Sequence, residues 1–186
     1  MNTIAEDRVV TAATYDSVAR GLHWLTALLV LAEYIVGSVM PHVRLAPPFA
    51  FLVQVHLALG SGLLLVVLLR IVWRLKHRPP PPPPSPAWQR RLAAATHFLL
   101  YLTLILMPLA GWASASAHGY PVRAFGILSL PALVPYRAHI GFILGMVHAD
   151  VLYWILLALI AMHVGAALYH RFVKRDSVLN RMLPGV

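Results

Sequence analysis

Histidine is the residue type in this chain best suited to hold a metal ion or a metal-containing cofactor. The 186 residues include ten histidines and no cysteine. The lack of cysteine excludes disulfides, cysteine-ligated iron–sulfur clusters and haem attached through a C-x-x-C-H motif. It leaves the imidazole nitrogen as the strong ligand, and imidazole binds zinc, copper and iron, including haem iron. The positions of the histidines therefore decide which kind of site the chain can build.

Four histidines lie in or at the ends of long apolar stretches, where an ionisable residue is costly and is a functional candidate. Their positions place His23 and His163 at one membrane face, and His56 and His148 at the other. Two imidazoles facing each other across a helix bundle are what a six-coordinate b-type haem requires. His148 and His163 are 15 residues apart, which is about 22 Å along a helix and about 60° around it. The spacing predicts two stacked haems, one near each face.

Two glycines and an arginine fit the same geometry. Gly37, Gly111 and Arg70 each follow a histidine of their own apolar stretch by 14 residues. At the depth of the outer haem, a missing side chain would let a porphyrin approach the backbone; alternatively, the glycines only permit close helix packing. Arg70 reaches the depth of the inner haem, where its guanidinium can pair with propionates. The alternative for Arg70 is an anchor that extends to the membrane surface.

Other polar residues leave alternatives open. A zinc site would gather its ligands around one ion, commonly with carboxylates, and the two histidine pairs are too far apart for that. Glu33 is the one carboxylate deep within an apolar stretch, and its role stays open. His97 competes with His23 for the inner haem. His170, two turns after His163, suits a proton donor to a reduced quinone, or a helix-end charge that complements the dipole. The remaining histidines are expected in solvent: His42, His118 and His139 in outer loops and His77 in a basic run.

Four apolar stretches must position these residues. The chain is 60% hydrophobic and 11% charged, with a mean hydropathy of +0.74, whereas soluble domains carry about 25% charged residues. Each stretch can cross a hydrocarbon core, which takes roughly 20 helical residues. The predicted spans are residues 22–40, 51–73, 92–117 and 148–172. No cleavable signal is expected, because the first 21 residues are mixed and polar. The predicted fold is all-α, an integral membrane four-helix bundle forming a single domain.

The distribution of positive charge predicts the orientation. Ten of the fifteen lysines and arginines lie near the end of the second span, between the second and third spans, or at the C-terminal end: Arg70, Arg74, Lys76, Arg78, Arg90, Arg91, Arg171, Lys174, Arg175 and Arg181. The outer loops hold Arg44, Arg123 and Arg137. The positive-inside rule then predicts cytoplasmic termini, a cytoplasmic proline-rich linker at 74–91 and a periplasmic loop at 118–147. The formal charge of +9 is accordingly a topology signal, and no nucleic-acid partner is expected.

Several short motifs occur in the order typical of one family. They are GLHWL around His23, VHLALG around His56, THFLLY around His97 followed by MPLAG, AMHVGAALYHRF around His163, and the tail DSVLNRMLPG. Over nearly its whole length the chain resembles the bacterial cytochrome b561 family of small di-haem cytochromes of the inner membrane. The resemblance implies that His23 and His163 ligate one haem b and that His56 and His148 ligate the other. Members of that family usually have 14 residues between the helix-four ligands, often with Glu after the first. Here the interval is 15 and Ala149 follows, so a local bulge must absorb one residue.

The resemblance also implies a function, namely electron transfer to or from membrane quinone. Some members resemble superoxide oxidases, so the leading hypothesis is an oxidoreductase of the superoxide:ubiquinone type. It would take electrons from a periplasmic donor and reduce ubiquinone, with Arg123 and Arg137 steering the superoxide anion. A second hypothesis is a membrane anchor and electron relay for a partner dehydrogenase or hydrogenase subunit, docked at the proline-rich linker. A third is a haem-free transporter that uses its intramembrane histidines for protons or metals.

Overall fold

Four long helical segments form a bundle in the computed structural model, which describes residues 14–41, 51–81 and 84–183. The first three are α1 (Ser17–Val39), α2 (Phe51–Lys76) and α3 (Ala87–Ala117). The fourth contains α4 (His139–Met146) and α5 (Tyr153–Tyr169), joined by a π-helical turn. All four segments are long and apolar enough to cross a membrane. The predicted all-α membrane bundle is thereby confirmed.

The fourth segment begins at His139, nine residues before the start of the predicted span. Two glycines in this part of the sequence suggest a loop, but in the structure both serve helix packing. A Cβ atom at Gly141 would lie 2.8 Å from the backbone oxygen of Ala113, and one at Gly145 would contact the side chain of Ser114. Small residues allow such close approach of membrane helices. The loop before this segment is therefore shorter than predicted, and His139 is an exposed helix residue.

Two π-helical turns interrupt the fourth segment. The first, Val147–Leu152, contains His148, whose backbone oxygen accepts a hydrogen bond from the N–H of Tyr153 five residues later. The second, His170–Lys174, ends the segment, and Arg175 follows it in the left-handed conformation at φ 54°. A π-helical turn accommodates one extra residue within a helix.

Buried hydroxyl groups help to satisfy the backbone inside the bundle. Each donates to the carbonyl oxygen four residues earlier; the donors are Thr26, Ser61, Thr96 and Ser116. Such local bonds suit a lipid environment, where no water is available to the backbone. The helix structure itself therefore accounts for these four buried hydroxyl groups.

A buried apolar layer crosses the middle of the bundle. It contains one or two residues from each long segment: Val30, Leu63, Val67, Leu104 and Leu156. A second cluster, formed by Val53, Ala115, Tyr120 and Val122, packs at the end where α3 leads into a short hairpin. This hairpin pairs β1 (Arg123–Ala124) with β2 (Leu128–Ser129), and the N–H of Phe125 donates to the carbonyl of Ala58 on α2.

The C-terminal tail ties the opposite end of the bundle together. The indole Nε1 of Trp24 donates to the carbonyl of Met182 at 2.7 Å, and the Arg20 guanidinium donates to Leu183 at 2.9 Å. Asp16 caps α1 by accepting from the N–H of Ala19. This hydrogen bond is the main reason that the pKa of Asp16 lies below its ordinary value. The start of α1 is thus held against the tail.

Candidate functional site

The candidate site residues lie at two levels, one on each side of the apolar layer. Each long segment carries two candidate site residues, and an apolar residue of that layer lies between them. The positions are 23, 30 and 37 on the first segment, 56, 63 and 70 on the second, 97, 104 and 111 on the third, and 148, 156 and 163 on the fourth. We name the two levels according to the predicted orientation. The outer level contains Gly37, His56, Gly111 and His148, and the inner level contains His23, Arg70, His97 and His163. Fourteen helical residues span about 21 Å, which is the separation of the two levels.

At the outer level, two imidazoles face each other across the bundle. The ring centroids of His56 and His148 are 5.9 Å apart, with the ring planes at 86°. Each Nδ1 has a different neighbour. Oε2 of Glu33 lies 2.5 Å from Nδ1 of His56, whereas Nδ1 of His148 is 2.8 Å from the backbone oxygen of Met107. The two imidazoles are therefore oriented by different groups.

Both glycines of the outer level lie against these imidazoles. A Cβ atom at Gly111 would be 3.0 Å from Cε1 of His148, and one at Gly37 would be 3.7 Å from Cε1 of His56. Gly111 is thus needed for the observed position of the His148 ring, while Gly37 leaves an ordinary contact distance. Gly111 therefore makes room for the imidazole of His148, and room for a porphyrin beside either glycine stays a prediction.

A cavity of about 670 Å³ opens at the outer level. Its lining includes Glu33, His56 and His148, both glycines of that level and many apolar side chains. Cofactor sites typically have such a volume and such a lining, apolar with a few placed polar groups. The cavity thus combines an apolar enclosure with two nitrogen donors.

The inner level gathers three imidazoles and a guanidinium. The ring centroid of His163 is 6.2 Å from that of His23 and 5.4 Å from that of His97. Nη2 of Arg70 lies 3.0 Å from Nδ1 of His23, and its guanidinium stands over the ring of Tyr101. Arg70 therefore reaches the depth that the sequence predicts for it and contacts a candidate ligand directly.

These spacings can be compared with what axial ligation of iron requires. A metal–imidazole bond is about 2.0 Å and the ring centroid lies about 1.1 Å behind the nitrogen, so opposed imidazoles have centroids about 6.2 Å apart. The pairs His23–His163 at 6.2 Å and His56–His148 at 5.9 Å meet this requirement. The 5.4 Å between His97 and His163 is short for it. The donor sets at both levels fit a haem with two axial imidazoles.

The π-helical turn accounts for the long interval between His148 and His163. In an uninterrupted α-helix, 15 residues would leave the two side chains about 60° apart, whereas 14 would leave them about 40° apart on the other side. The turn Val147–Leu152 takes up one residue, so that the interval of 15 acts as an interval of 14. The residues flanking the apolar layer agree, because Leu156 follows His148 by eight residues and precedes His163 by seven.

A histidine–carboxylate pair lies at the rim of the inner level. Nδ1 of His170 is 2.6 Å from Oδ2 of Asp176, and Oδ1 of Asp176 accepts from the N–H of Val178. Partial burial raises the pKa of Asp176, but the hydrogen bonds from His170 and from the N–H of Val178, together with nearby positive charge, outweigh burial and hold that pKa below its ordinary value. The carboxylate fixes one side of the imidazole and leaves Nε2 for another partner.

At the other end, the predicted anion-steering residues are exposed. Arg123 begins the hairpin, and Arg137 adopts φ 61° and lies beside the ring of Tyr136. Within the described part of the chain, the outer cavity is lined by His118 but by neither arginine. His118 was expected in solvent and is only partly exposed. His42 and Arg44 lie outside the described residues.

The partner of Glu33 was not predicted from the sequence. Glu33 precedes Gly37 by four residues, one helical turn, so both share a helix face, and this spacing could have indicated a position near the outer level. The contact of Met107 with His148 had no sequence signal, because a backbone oxygen can belong to any residue.

Comparison with known proteins identifies the family. A family model described as prokaryotic cytochrome b561 matches residues 14–185. "Cytochrome b561 homolog 2" of Escherichia coli (strain K12) is 31% identical over 175 residues, covering 93% of this chain and 93% of that protein. "Cytochrome b561 homolog 1" of the same organism is 30% identical, with 88% and 93% covered. "Probable superoxide oxidase CybB" of Yersinia pestis is 33% identical over 181 residues, with 91% and 96% covered.

Proposed function

The chain belongs to the prokaryotic cytochrome b561 family, and we propose that it carries electrons through two b-type haems from a periplasmic donor to membrane ubiquinone. The family implies a multi-pass bacterial membrane protein that binds haem b and transfers electrons. The single observation that carries the proposal is the pair of levels, each with two imidazoles at a spacing that suits an axial pair. Haem iron, when bound, supplies one-electron redox chemistry.

The outer haem would be held by His56 and His148, and the inner haem by His23 and His163. His97 would lie beside the inner haem, because its ring separation from His163 of 5.4 Å departs further from the expected spacing than the 6.2 Å between His23 and His163. For His23 to bind iron through Nε2, its Nδ1 must carry the proton and cannot accept from Arg70. The Arg70 guanidinium would then turn to the haem propionates, for which it has the charge and the donors.

Superoxide is the donor that we propose for the outer side. It is a small anion, and the exposed side chains of Arg123 and Arg137 would attract it electrostatically. Each superoxide loses one electron and becomes dioxygen. "Probable superoxide oxidase CybB" is a relative with this activity in its name.

Ubiquinone is the proposed acceptor at the inner side, where His170 lies. Reduction to the quinol consumes two electrons and two protons, so the site must deliver protons. Asp176 accepts from Nδ1 of His170 and would keep Nε2 facing the acceptor. His170 would then pass a proton to the reduced quinone and regain it from the cytoplasm.

Spectra of the purified protein test the haem assignment. A redox-titrated visible spectrum of the wild type should contain two haems, His56→Ala should lose one, and His163→Ala should lose the other. Retention of both haems in both variants would remove the proposal. A protein without any Soret band would instead favour a transporter.

Stopped-flow kinetics test the donor. Quinone-loaded protein should accelerate superoxide loss above spontaneous dismutation, and the rate should fall as ionic strength rises, because salt screens the attraction of an anion. Arg123→Gln with Arg137→Gln should weaken that salt dependence. A rate equal to spontaneous dismutation would exclude superoxide. Co-purification of a stoichiometric dehydrogenase or hydrogenase subunit would then favour the relay hypothesis.

The orientation can be tested by labelling, since the chain has no cysteine of its own. We propose that both termini and the proline-rich linker are cytoplasmic and that the protein resides in the inner membrane. In spheroplasts, a membrane-impermeant maleimide should label Ser129→Cys in the hairpin and should not label Ala87→Cys at the start of α3. The reverse pattern would invert the orientation and, with it, the assignment of donor and acceptor sides.

A further inference from the structure

Glu33 is a buried carboxylate that the electron-transfer proposal does not use. It lies on α1 one turn before Gly37, its side chain is 12% exposed, and it lines the outer cavity. Gly60 on α2 lies beside it, and a Cβ atom there would be at an ordinary contact distance of 3.8 Å from Oε1. Within the described ranges, Oε1 has no hydrogen-bond partner, and Oε2 contacts Nδ1 of His56. Placing a carboxylate within a membrane costs free energy, so Glu33 is a candidate for a functional role.

The geometry points to Glu33 as a positioning residue for His56, and we propose that it lowers the reduction potential of the outer haem. This inference rests on the proposed function, because it requires His56 to ligate iron. A ligating histidine commonly donates its second ring N–H to a carboxylate, which fixes the tautomer and raises the basicity of the ligand. A more basic ligand stabilises the oxidised iron more than the reduced iron, so the potential falls.

The chemistry of the contact decides which group donates. If Nε2 of His56 binds iron, Nδ1 carries the proton and Glu33 must accept it. Oε2 lies 2.5 Å from Nδ1, although the present angle is not that of a hydrogen bond. A small turn of the imidazole would align the two atoms, and ligation through Nε2 supplies a reason for that turn.

The other candidate ligands contact groups that carry a different charge. His148 faces the neutral backbone oxygen of Met107, and His23 faces the cationic guanidinium of Arg70. Negative charge at the outer level and positive charge at the inner level would make the outer haem the weaker oxidant of the two. Electrons would then pass downhill from the outer to the inner level, which is the direction that the proposed function needs.

The test is the midpoint potential of each haem in Glu33→Gln, measured by potentiometric titration of the purified holoprotein. Glutamine keeps an acceptor oxygen but removes the charge, so both haems should remain bound. We expect at least a tenfold increase in the ratio of reduced to oxidised outer haem at a fixed potential, which is an upward shift of about 59 mV for one electron. The low-spin ferric signal of the outer haem in electron paramagnetic resonance should change as well, and the inner haem should be unaffected.

Asp150→Asn is the matched control. Asp150 lines the same cavity but is exposed, so its replacement removes a negative charge near the outer level without changing the contact between Glu33 and His56. An equal shift in Asp150→Asn would overturn the proposal, because the effect would then be that of any nearby charge. An unchanged outer potential and signal in Glu33→Gln would also overturn it. If the wild type binds two haems and His56→Ala loses the outer one, such a result affects the role of Glu33 alone. If His56→Ala keeps both haems, the proposed ligand assignment fails first.

Discussion

Substitution of Gly111 should weaken the outer haem site far more than the same substitution at Gly37. Both glycines lie at the outer level and line the cavity, and each faces the imidazole of a candidate ligand. A Cβ atom at position 111 would lie 3.0 Å from Cε1 and 3.1 Å from Nδ1 of His148. At position 37 it would lie 3.7 Å from Cε1 of His56, an ordinary van der Waals distance.

The expected magnitude follows from these distances. In Gly111→Ala the ring of His148 must retreat by a few tenths of an ångström, although Met107 holds it through a hydrogen bond of 2.8 Å. Inserting a methyl group into a packed site costs about 1–3 kcal/mol. The haem-free protein can relieve that cost by turning His148 away, but the haem-bound protein cannot. The cost therefore appears in binding, as a loss of affinity of about 5- to 150-fold. The gain of about 1 kcal/mol in helix propensity is common to both variants and both states, so it cancels.

The assay is a titration of haem-depleted protein with haemin, followed in the Soret band. A His163→Ala background removes the proposed inner site, so that only the outer site is measured. Gly37→Ala in the same background is the control and should bind within a few-fold of the parent. Equal losses in both variants would refute the reasoning, because the space beside the glycines would then be needed by the porphyrin and not by the imidazole of His148. An unchanged affinity in Gly111→Ala would refute it as well.

Three further predictions concern the ligands and their spacing. His97→Ala should keep both haems while His163→Ala loses the inner one, as judged by the pyridine haemochrome assay; loss of the inner haem in His97→Ala would make His97 its ligand. Arg70→Gln should lower the midpoint potential of the inner haem, because a positive charge near it is removed. The midpoint potential of the outer haem, about 21 Å away, should stay unchanged. Equal shifts of both potentials would contradict this prediction. Deletion of Ala149 should remove the π-helical turn and preserve both haems. Insertion of an alanine after Leu157, in regular helix, should instead displace one ligand by about 100° around the helix, and one haem should be lost. The opposite result would show that the turn does not compensate for the extra residue.

Much of the architecture could be read from the sequence. Mean hydropathy and the lengths of the apolar stretches predict four membrane helices, and the four segments of the structure confirm them. Depth along a straight helix depends only on residue number, so it also predicts which histidines share a level. His56 and His148 do come together, as do His23 and His163.

The start of the fourth segment was predicted less well. The stretch from His139 to Met146 contains two glycines, which favour a loop when only local preferences are considered. Packing against α3 overrides that preference, since Gly141 and Gly145 allow the two helices to approach closely. Local propensity is a weak guide wherever small residues face a neighbouring helix.

Residue types and residue numbers thus determined the bundle and the two levels, and they identified histidine as the proposed ligand. The tertiary structure decided which group faces each Nδ1: a carboxylate for His56, a backbone oxygen for His148 and a guanidinium for His23. It also decided that the extra residue before His163 is taken up in a π-helical turn around His148. The reason is physical. Depth is a property of one helix, whereas these contacts depend on how four helices are rotated against one another, and that rotation is set by packing across the whole bundle.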